Sequence, residues 1–231
     1  SGPCVPDTRT FEDCLEIFDK YQIGRNIPEG VMNYIRNGID GKVQETPKPG
    51  DKIFKRTANV IIGGNFDALL KSKSKAETLG YQTVLLSSLI EGETRDVADI
   101  HAAIAKEVYT RGYPIKRPAC ILSGGETTVT IKGGGKGGRC QEFALASALQ
   151  IQEMGNTVVL CAGTDGTDGP TDAAGALCDG TTVTRALKAG LDPKKYLDAN
   201  DAYHFFEALG DLYKTGPTNT NVMDIRIIVI H

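Results

Sequence analysis

No apolar run in the chain approaches the ~18 residues that a membrane-spanning helix needs, and no secretory leader opens it. Histidine is scarce: His101, His204 and His231 are too few for a histidine-rich metal centre. None of the six cysteines (Cys4, Cys14, Cys120, Cys140, Cys161, Cys178) stands in a CxxC pair, which removes the usual zinc and redox spacings. Several lie in apolar, strand-like surroundings and read as reduced thiols of a cytoplasmic protein. Excess charge is missing too. With 26 basic and 29 acidic residues, net −3, the chain is no general nucleic-acid binder, although a local basic pocket remains open to it. There are no internal repeats and no low-complexity tails. What remains is an ordinary globular composition, 231 residues of which 40% are hydrophobic, enough for one large domain or two smaller ones.

The stretch from Ser123 to Ala176 is where chemistry concentrates. It opens SGGETTVTIKGGGKGGRCQE and closes AGTDGTDGPTDAAGA, so glycines alternate with Ser, Thr, Asp, Lys and Arg at two places. Glycine lets backbone N–H groups approach an anion, a following helix offers its positive end, and Lys or Arg neutralises the rest. Tight turns need the same residues. Two such clusters, each after an expected strand, favour a site.

In chain order, Thr10 with Asp13 forms an N-cap for a helix from Phe11 to about Lys20, and a second helix follows Pro28 with Val31, Met32 and Ile35 inward and Gly38 as its stop. Residues 40–51 are polar and proline-rich, an exposed connection. Thr57–Gly64 (TANVIIGG) reads as a buried strand, Asn65–Gly80 as a helix, Tyr81–Ser88 as a strand, and Thr94–Arg111 as a helix whose inner face carries Val97, Ile100, Ala103, Ile104 and Val108. Strand and helix in alternation predict a parallel sheet. Gly63, Gly64 and Asn65 then fall where open α/β sheets bind ligands, here a nucleotide, while Asn65 could equally be only a helix N-cap. Next come a short buried strand at Ala119–Leu122, an alternating edge strand at Glu126–Lys132, a helix at Gly138–Met154 and a central strand at Thr157–Ala162. Ala176–Cys178 reads as a strand, Thr181–Ala189 and Asp201–Leu209 as helices, and Val222–Ile230 as the strand that completes a sheet.

Gly133, Gly135 and Gly138 satisfy GxGxxG formally, but the preceding strand alternates, and no acidic residue stands at the end of the next strand before Asp165, later than the usual ~20 residues. Walker A is missed as well, because Arg139 and Cys140 stand where Lys and Ser or Thr are required. The loop is therefore a glycine-rich turn with Lys136 and Arg139 at a helix start. Asp165, Asp168 and Asp172, interleaved with Thr164, Thr167 and Thr171, can bind Mg²⁺ or take a proton from a hydroxyl, or can be turn and cap residues. Asp165, directly after a strand, is the functional candidate; Asp172 is the cap candidate.

The segments SGGETTVTIKGGGKGGRCQEFALA, VVLCAGTDGTDGPTDAAGA and TGPTNTNVMDIRIIV resemble class II glycerate kinases, the glycerate 2-kinases, and the last ~115 residues resemble their MOFRL domain. SGPCVPD and NVIIGGN are similar to the later part of that family's N-terminal domain. The resemblance implies an α/β fold: residues 1–116 as the end of a Rossmann-like parallel-sheet domain, and 117–231 as a smaller MOFRL domain with a mixed sheet. It also implies Mg²⁺-dependent phosphoryl transfer from ATP to the 2-hydroxyl of glycerate in the cytoplasm, in a cleft between two domains, with a homodimer as a further expectation. On this reading Arg139 holds the substrate carboxylate or the transferring phosphate, and Asp165 orients the hydroxyl or the metal. Ser123, Gly124, Gly125, Glu126, Lys136, Gly137, Gly138, Thr164 and Asp168 line the substrate and phosphate site. Cys140 departs from the family's usual Asn. Family members are roughly twice as long, their N-terminal half supplies a catalytic lysine, and this chain opens at Ser1, so the expectation is a C-terminal fragment whose missing half is its first partner. Two other readings stand beside this one: hydroxypyruvate reductase, the label some relatives carry, and an inactive nucleotide-binding or interaction module.

Overall fold

The computed structural model describes residues 4–231, which fall into two compact units, Ser1–Ile62 and Gly63–His231. In the first unit α1 (Phe11–Lys20) begins at the expected capping box: Thr10 Oγ1 accepts from Asp13 N–H and the Asp13 carboxylate accepts from Thr10 N–H at 2.7 Å. Helix α2 (Glu29–Ile39) runs through Gly38, which is buried inside it, and Val31 faces solvent rather than inward. Ile35 is the single buried hydrophobic residue of this unit among the described residues. The expected strand at Thr57–Gly64 does not form. Val60, Ile61 and Ile62 are 78%, 90% and 97% exposed, because a β-favouring run becomes a strand only where a neighbouring strand offers its hydrogen bonds, and none does among the described residues.

The second unit runs α3 (Asn65–Thr78), β1 (Gln82–Leu85), α4 (Thr94–Arg111), β2 (Ala119–Gly125), α5 (Arg139–Gln150), β3 (Thr157–Gly163), β4 (Gly175–Asp179), α6 (Thr182–Lys188), α7 (Pro193–Asp198), α8 (Ala202–Leu209), β5 (Leu212–Tyr213) and β6 (Asp224–Ile230). One six-stranded mixed sheet, in the order β1-β2-β6-β3-β4-β5, organises it. Only β1 and β2 are parallel; β6 enters antiparallel between β2 and β3. The parallel sheet expected from the strand-helix alternation is thus reduced to one pair. The expected boundary at 116/117 does not coincide with the break in packing either: β1 pairs with β2 from Gln82–Ala119 to Leu85–Leu122, which ties residues 63–116 into the same unit.

Alternate residues of β2 and β6 serve opposite faces. Ala119, Ile121, Ile228 and Ile230 join the larger core with α4 and α5, while Cys120 and Leu122 pack on Leu69 and Ala76 of α3. Helix α5 is buried from Cys140 to Ala148, which its small Ala-rich sequence allows. On α4 the buried stripe is Val97, Ala98, His101, Ala102, Ala105 and Val108, rotated from the expected one, so that Ile100 is exposed. Residues 126–132 form a loop, not an edge strand; its one ladder-like contact is an isolated bridge from Thr128 to Glu93. Among the described residues no helix is long and apolar enough to cross a membrane, and all six cysteines are free thiols.

Candidate active site

Gly125, Asp224 and Gly163 share one rung of the sheet, at the end where β2 and β3 finish and β6 begins. The N-termini of α3, α4 and α5 start from loops at this same end, which is where α/β sheets present ligands. Here a cavity of about 520 Å³ opens, lined by Glu126, Thr127, Gly137, Gly138, Arg139 and Asn200 among others. Thr94, first residue of α4, meets Thr127 through hydroxyls 2.6 Å apart and donates to Arg139 C=O at 3.3 Å, so the wall is stitched from two helices and one loop.

Arg139 dominates the charge of this cavity. Its Nε and Nη2 donate to the two carboxylate oxygens of Asp224 at 2.6 and 3.0 Å, and Nη2 also meets Glu126 at 3.1 Å. The hydrogen bonds to Asp224 raise the Arg139 pKa above its ordinary value. Asp224 is wholly buried, and so is Arg226, 1% exposed, its Nη2 donating to Thr127 Oγ1 at 3.1 Å and standing 3.8 Å from Asp224 Oδ2. Neither Nε nor Nη1 of Arg226 has a partner.

The glycine-rich loop is not an open anion cradle. The N–H groups of Lys132 and Gly133 donate to Asn200 Oδ1, Gly135 N–H to Ala199 C=O and Lys136 N–H to Asp201 Oδ1. A Cβ on Gly133 or Gly135 would strike Ala199 or Asp201, so these glycines exist for close packing on residues 199–201. The N-terminus of α5 is likewise occupied. Asp168, expected to bind substrate, accepts from Cys140 N–H at 3.1 Å and Gln141 N–H at 2.8 Å, a resident carboxylate where a phosphate would otherwise sit. Burial raises its pKa to about 6 against the pull of those hydrogen bonds.

The other expected residues are placed as follows. Ser123 is buried, its Oγ 2.7 Å from His101 Nε2, outside the cavity lining. Gly124 touches Asn65, whose Nδ2 donates to the carbonyls of Val222 and Asp224; the amide is a buried strut between α3 and β6. Gly125 bridges to Ile90. Lys136 lays its ammonium 4.1 Å from the centre of the Tyr203 ring. Thr164 ties the loop after β3 to residues 222–223, and Asp165 holds an exposed Asx turn through Thr167 N–H at 3.0 Å while Oδ2 meets Asn221 Nδ2 at 3.2 Å. Gly64 N–H donates to Asp67, and Gly63 is exposed. Of the expected set, Glu126, Gly137, Gly138 and Arg139 line one cavity; the rest do not.

Sequence reasoning missed Asp224, Arg226, Thr127 and Asn200. A signal was present for the first two: in DIRIIVI the charged residues occupy the alternate positions that Ile228 and Ile230 continue into the core.

Comparison with known proteins places this architecture. The MOFRL family matches residues 119–224, and a domain of unknown function (DUF4147) matches residues 1–36. The whole chain is 38% identical to the glycerate 2-kinase of Pyrococcus horikoshii and 40% identical to the D-glycerate 2-kinase of Thermotoga maritima, covering 52% of each. It superposes on the crystal structure of a Thermotoga maritima glycerate kinase with a TM-score of 0.78, at 39% identity and over 53% of that chain. It is also 31% identical to a glycerate kinase of Macaca fascicularis, of which it covers 67%. The chain belongs to the glycerate kinase family. It spans about half the length of the Pyrococcus and Thermotoga glycerate kinases. Another relative, from Agrobacterium vitis and 38% identical, is provisionally named hydroxypyruvate reductase.

Proposed function

We propose that the cavity beside Arg139 serves phosphoryl transfer from ATP to the 2-hydroxyl of glycerate, giving 2-phosphoglycerate, in a cytoplasmic enzyme. The observation that carries this reading is Arg139 itself, a guanidinium held at the cavity wall by a buried carboxylate. A transferring phosphoryl group spreads negative charge over its equatorial oxygens, and a fixed cation stabilises that charge more in the transition state than in the ground state. Glu126 pairs with Arg139 from an exposed position, so an arriving anionic substrate can take its place without disturbing Asp224. The loop glycines leave the anion to the Arg139 side chain and not to a nest of backbone N–H groups.

Among the described residues no three His, Cys, Asp or Glu side chains converge as a metal cage. Mg²⁺ needs none: it takes one or two carboxylates together with substrate phosphates and keeps several waters. The half-buried Asp165 carboxylate fits that demand and would hold it. When bound, the ion would neutralise negative charge on the nucleotide phosphates. The half of the relatives that lies outside this chain is the first partner of the site, and supplies the remaining groups.

The test is 2-phosphoglycerate formation from Mg-ATP and D-glycerate, read by coupling to enolase. It is run on this chain alone and on this chain joined to the additional half found in its relatives. A glycerate-dependent signal from either supports the kinase; silence from both overturns it. NADPH oxidation by hydroxypyruvate would support the reductase reading that the Agrobacterium name suggests. The loop speaks against that reading, since the three glycines of its GxGxxG are used up in internal packing. ADP binding without turnover by either form would leave an inactive module.

A further inference from the structure

We propose that Asp224 and Arg226 are positioning residues for Arg139: Asp224 fixes the plane and reach of the Arg139 guanidinium, and Arg226 balances the charge of the buried carboxylate. The proposal rests on the phosphoryl-transfer reading of the cavity. Three observations carry it. The Asp224 carboxylate is wholly buried yet spends both oxygens on a half-buried arginine, in the two-pronged geometry that locks a guanidinium against rotation. Its backbone is clamped on three sides, by the ladders to Gly125 and Gly163 and by Asn65 Nδ2 on its carbonyl, so the carboxylate stands on the most rigid part of the sheet.

The third observation is Arg226. A buried arginine with two unpartnered nitrogens is a costly residue for a strand interior, and packing alone would be met by an aliphatic side chain. Its guanidinium lies 5.4 Å from the Phe143 ring centre, hydrogen bonds to Thr127 on the cavity wall, and stands 3.8 Å from Asp224 Oδ2, the oxygen that Arg139 Nε also binds. Two arginines thus share one buried carboxylate, and of the three groups only Arg139 lines the cavity. Moving Arg139 by about 1 Å would cost on the order of a hundredfold in rate.

The experiment compares Asp224→Asn, the charge-balanced double variant Asp224→Asn with Arg226→Met, and Arg139→Lys. Turnover is measured in the form of the protein that phosphorylates glycerate. The Arg139 Nε–H resonance is followed by ¹⁵N NMR in the full chain and assigned by its loss in Arg139→Lys. The expected result is that both Asp224 variants lower kcat by about ten- to a hundredfold with KM for glycerate within about threefold. The Nε–H signal should move upfield and exchange faster with water. An unchanged Nε–H signal, or a double variant with wild-type kcat, would overturn the proposal and leave the pair a charge balance of the core. Should Asp224→Asn alone not fold, the double variant decides. If no form of the wild type makes 2-phosphoglycerate, it is the kinase reading that fails, and the NMR comparison still decides whether Asp224 holds Arg139.

Discussion

The carboxylate of Asp168 accepts from both the backbone N–H and the side-chain Nε2 of Gln141, at 2.8 and 3.0 Å, while Gln141 Nε2 also reaches Thr171 Oγ1 at 3.0 Å. This knot joins the loop after β3 to the first turn of α5, and so holds Arg139 at its N-terminus. Asp168→Ala would leave two buried N–H groups without acceptors and is expected to cost about 3 kcal/mol of stability, measured by urea unfolding. A loss below about 0.5 kcal/mol would show that the knot is dispensable.

His101 is the acid-sensitive element of the core. Val97 C=O can only accept, so Nδ1 carries the proton and Nε2 accepts from Ser123 Oγ, both at 2.7 Å. Burial lowers its pKa from 6.5 to about 4. The unfolded chain therefore binds the proton first, and the stability held above pH 6.5 drains away as pH falls towards 4, by about 3 kcal/mol. Asp168 works in the opposite sense: its folded pKa of about 6 lies above the unfolded 3.8, so its contribution is full below 3.8 and is lost as pH rises through 6. Between pH 6 and 4 the two nearly cancel. His101→Gln is expected to uncover the Asp168 trend, the variant gaining stability relative to wild type as pH falls from 7 to 4 in parallel unfolding titrations. Parallel pH profiles would assign His101 no such role.

For the active protein, Arg139→Ala is expected to lower kcat/KM about a hundredfold, roughly 3 kcal/mol, mostly in kcat. An unchanged kcat/KM would remove Arg139 from the chemistry.

Asp165→Asn keeps the acceptor that Thr167 uses and removes the charge, together with the oxygen that accepts from Asn221 Nδ2 at the surface. If the carboxylate carries metal or orients the hydroxyl, turnover falls at least about tenfold with the unfolding midpoint unmoved. Normal turnover would reduce Asp165 to a turn residue.

Gly124→Ala would drive a methyl into the Asn65 amide and displace it from two carbonyls of the chain entering β6. The expected destabilisation is about 1–3 kcal/mol by calorimetry or urea, and a neutral substitution would refute the strut.

Local signals in the sequence were reliable where the cause was itself local. The Thr10–Asp13 box and the Gly112 stop of α4 carry their own hydrogen-bond logic within a few residues, and α1 and α4 begin and end where those residues demand. The misses share one origin, a partner distant in sequence. TANVIIGG satisfies every rule for a strand except having a neighbour. Glycines 133–138 look like an anion loop until Asn200 and Asp201 are seen to fill it. Asp168 looks like a ligand because nothing in its own loop reveals that Gln141 and Cys140 need its oxygens. The alternation of DIRIIVI marks Asp224 as inward-facing, but its role depends on Arg139, 85 residues upstream.

The place of β6 bears on how the protein is made. Its seven residues lie between β2 and β3, so before residues 224–230 are synthesised the sheet exists only as two ribbons, β1-β2 and β3-β4-β5, with no ladder joining them. Those same residues carry Asp224 and Arg226. Joining of the two ribbons and pairing of Arg139 with its buried carboxylate thus wait on the same seven residues, and a ribosome that stalled before them would leave two separate ribbons and Arg139 without Asp224.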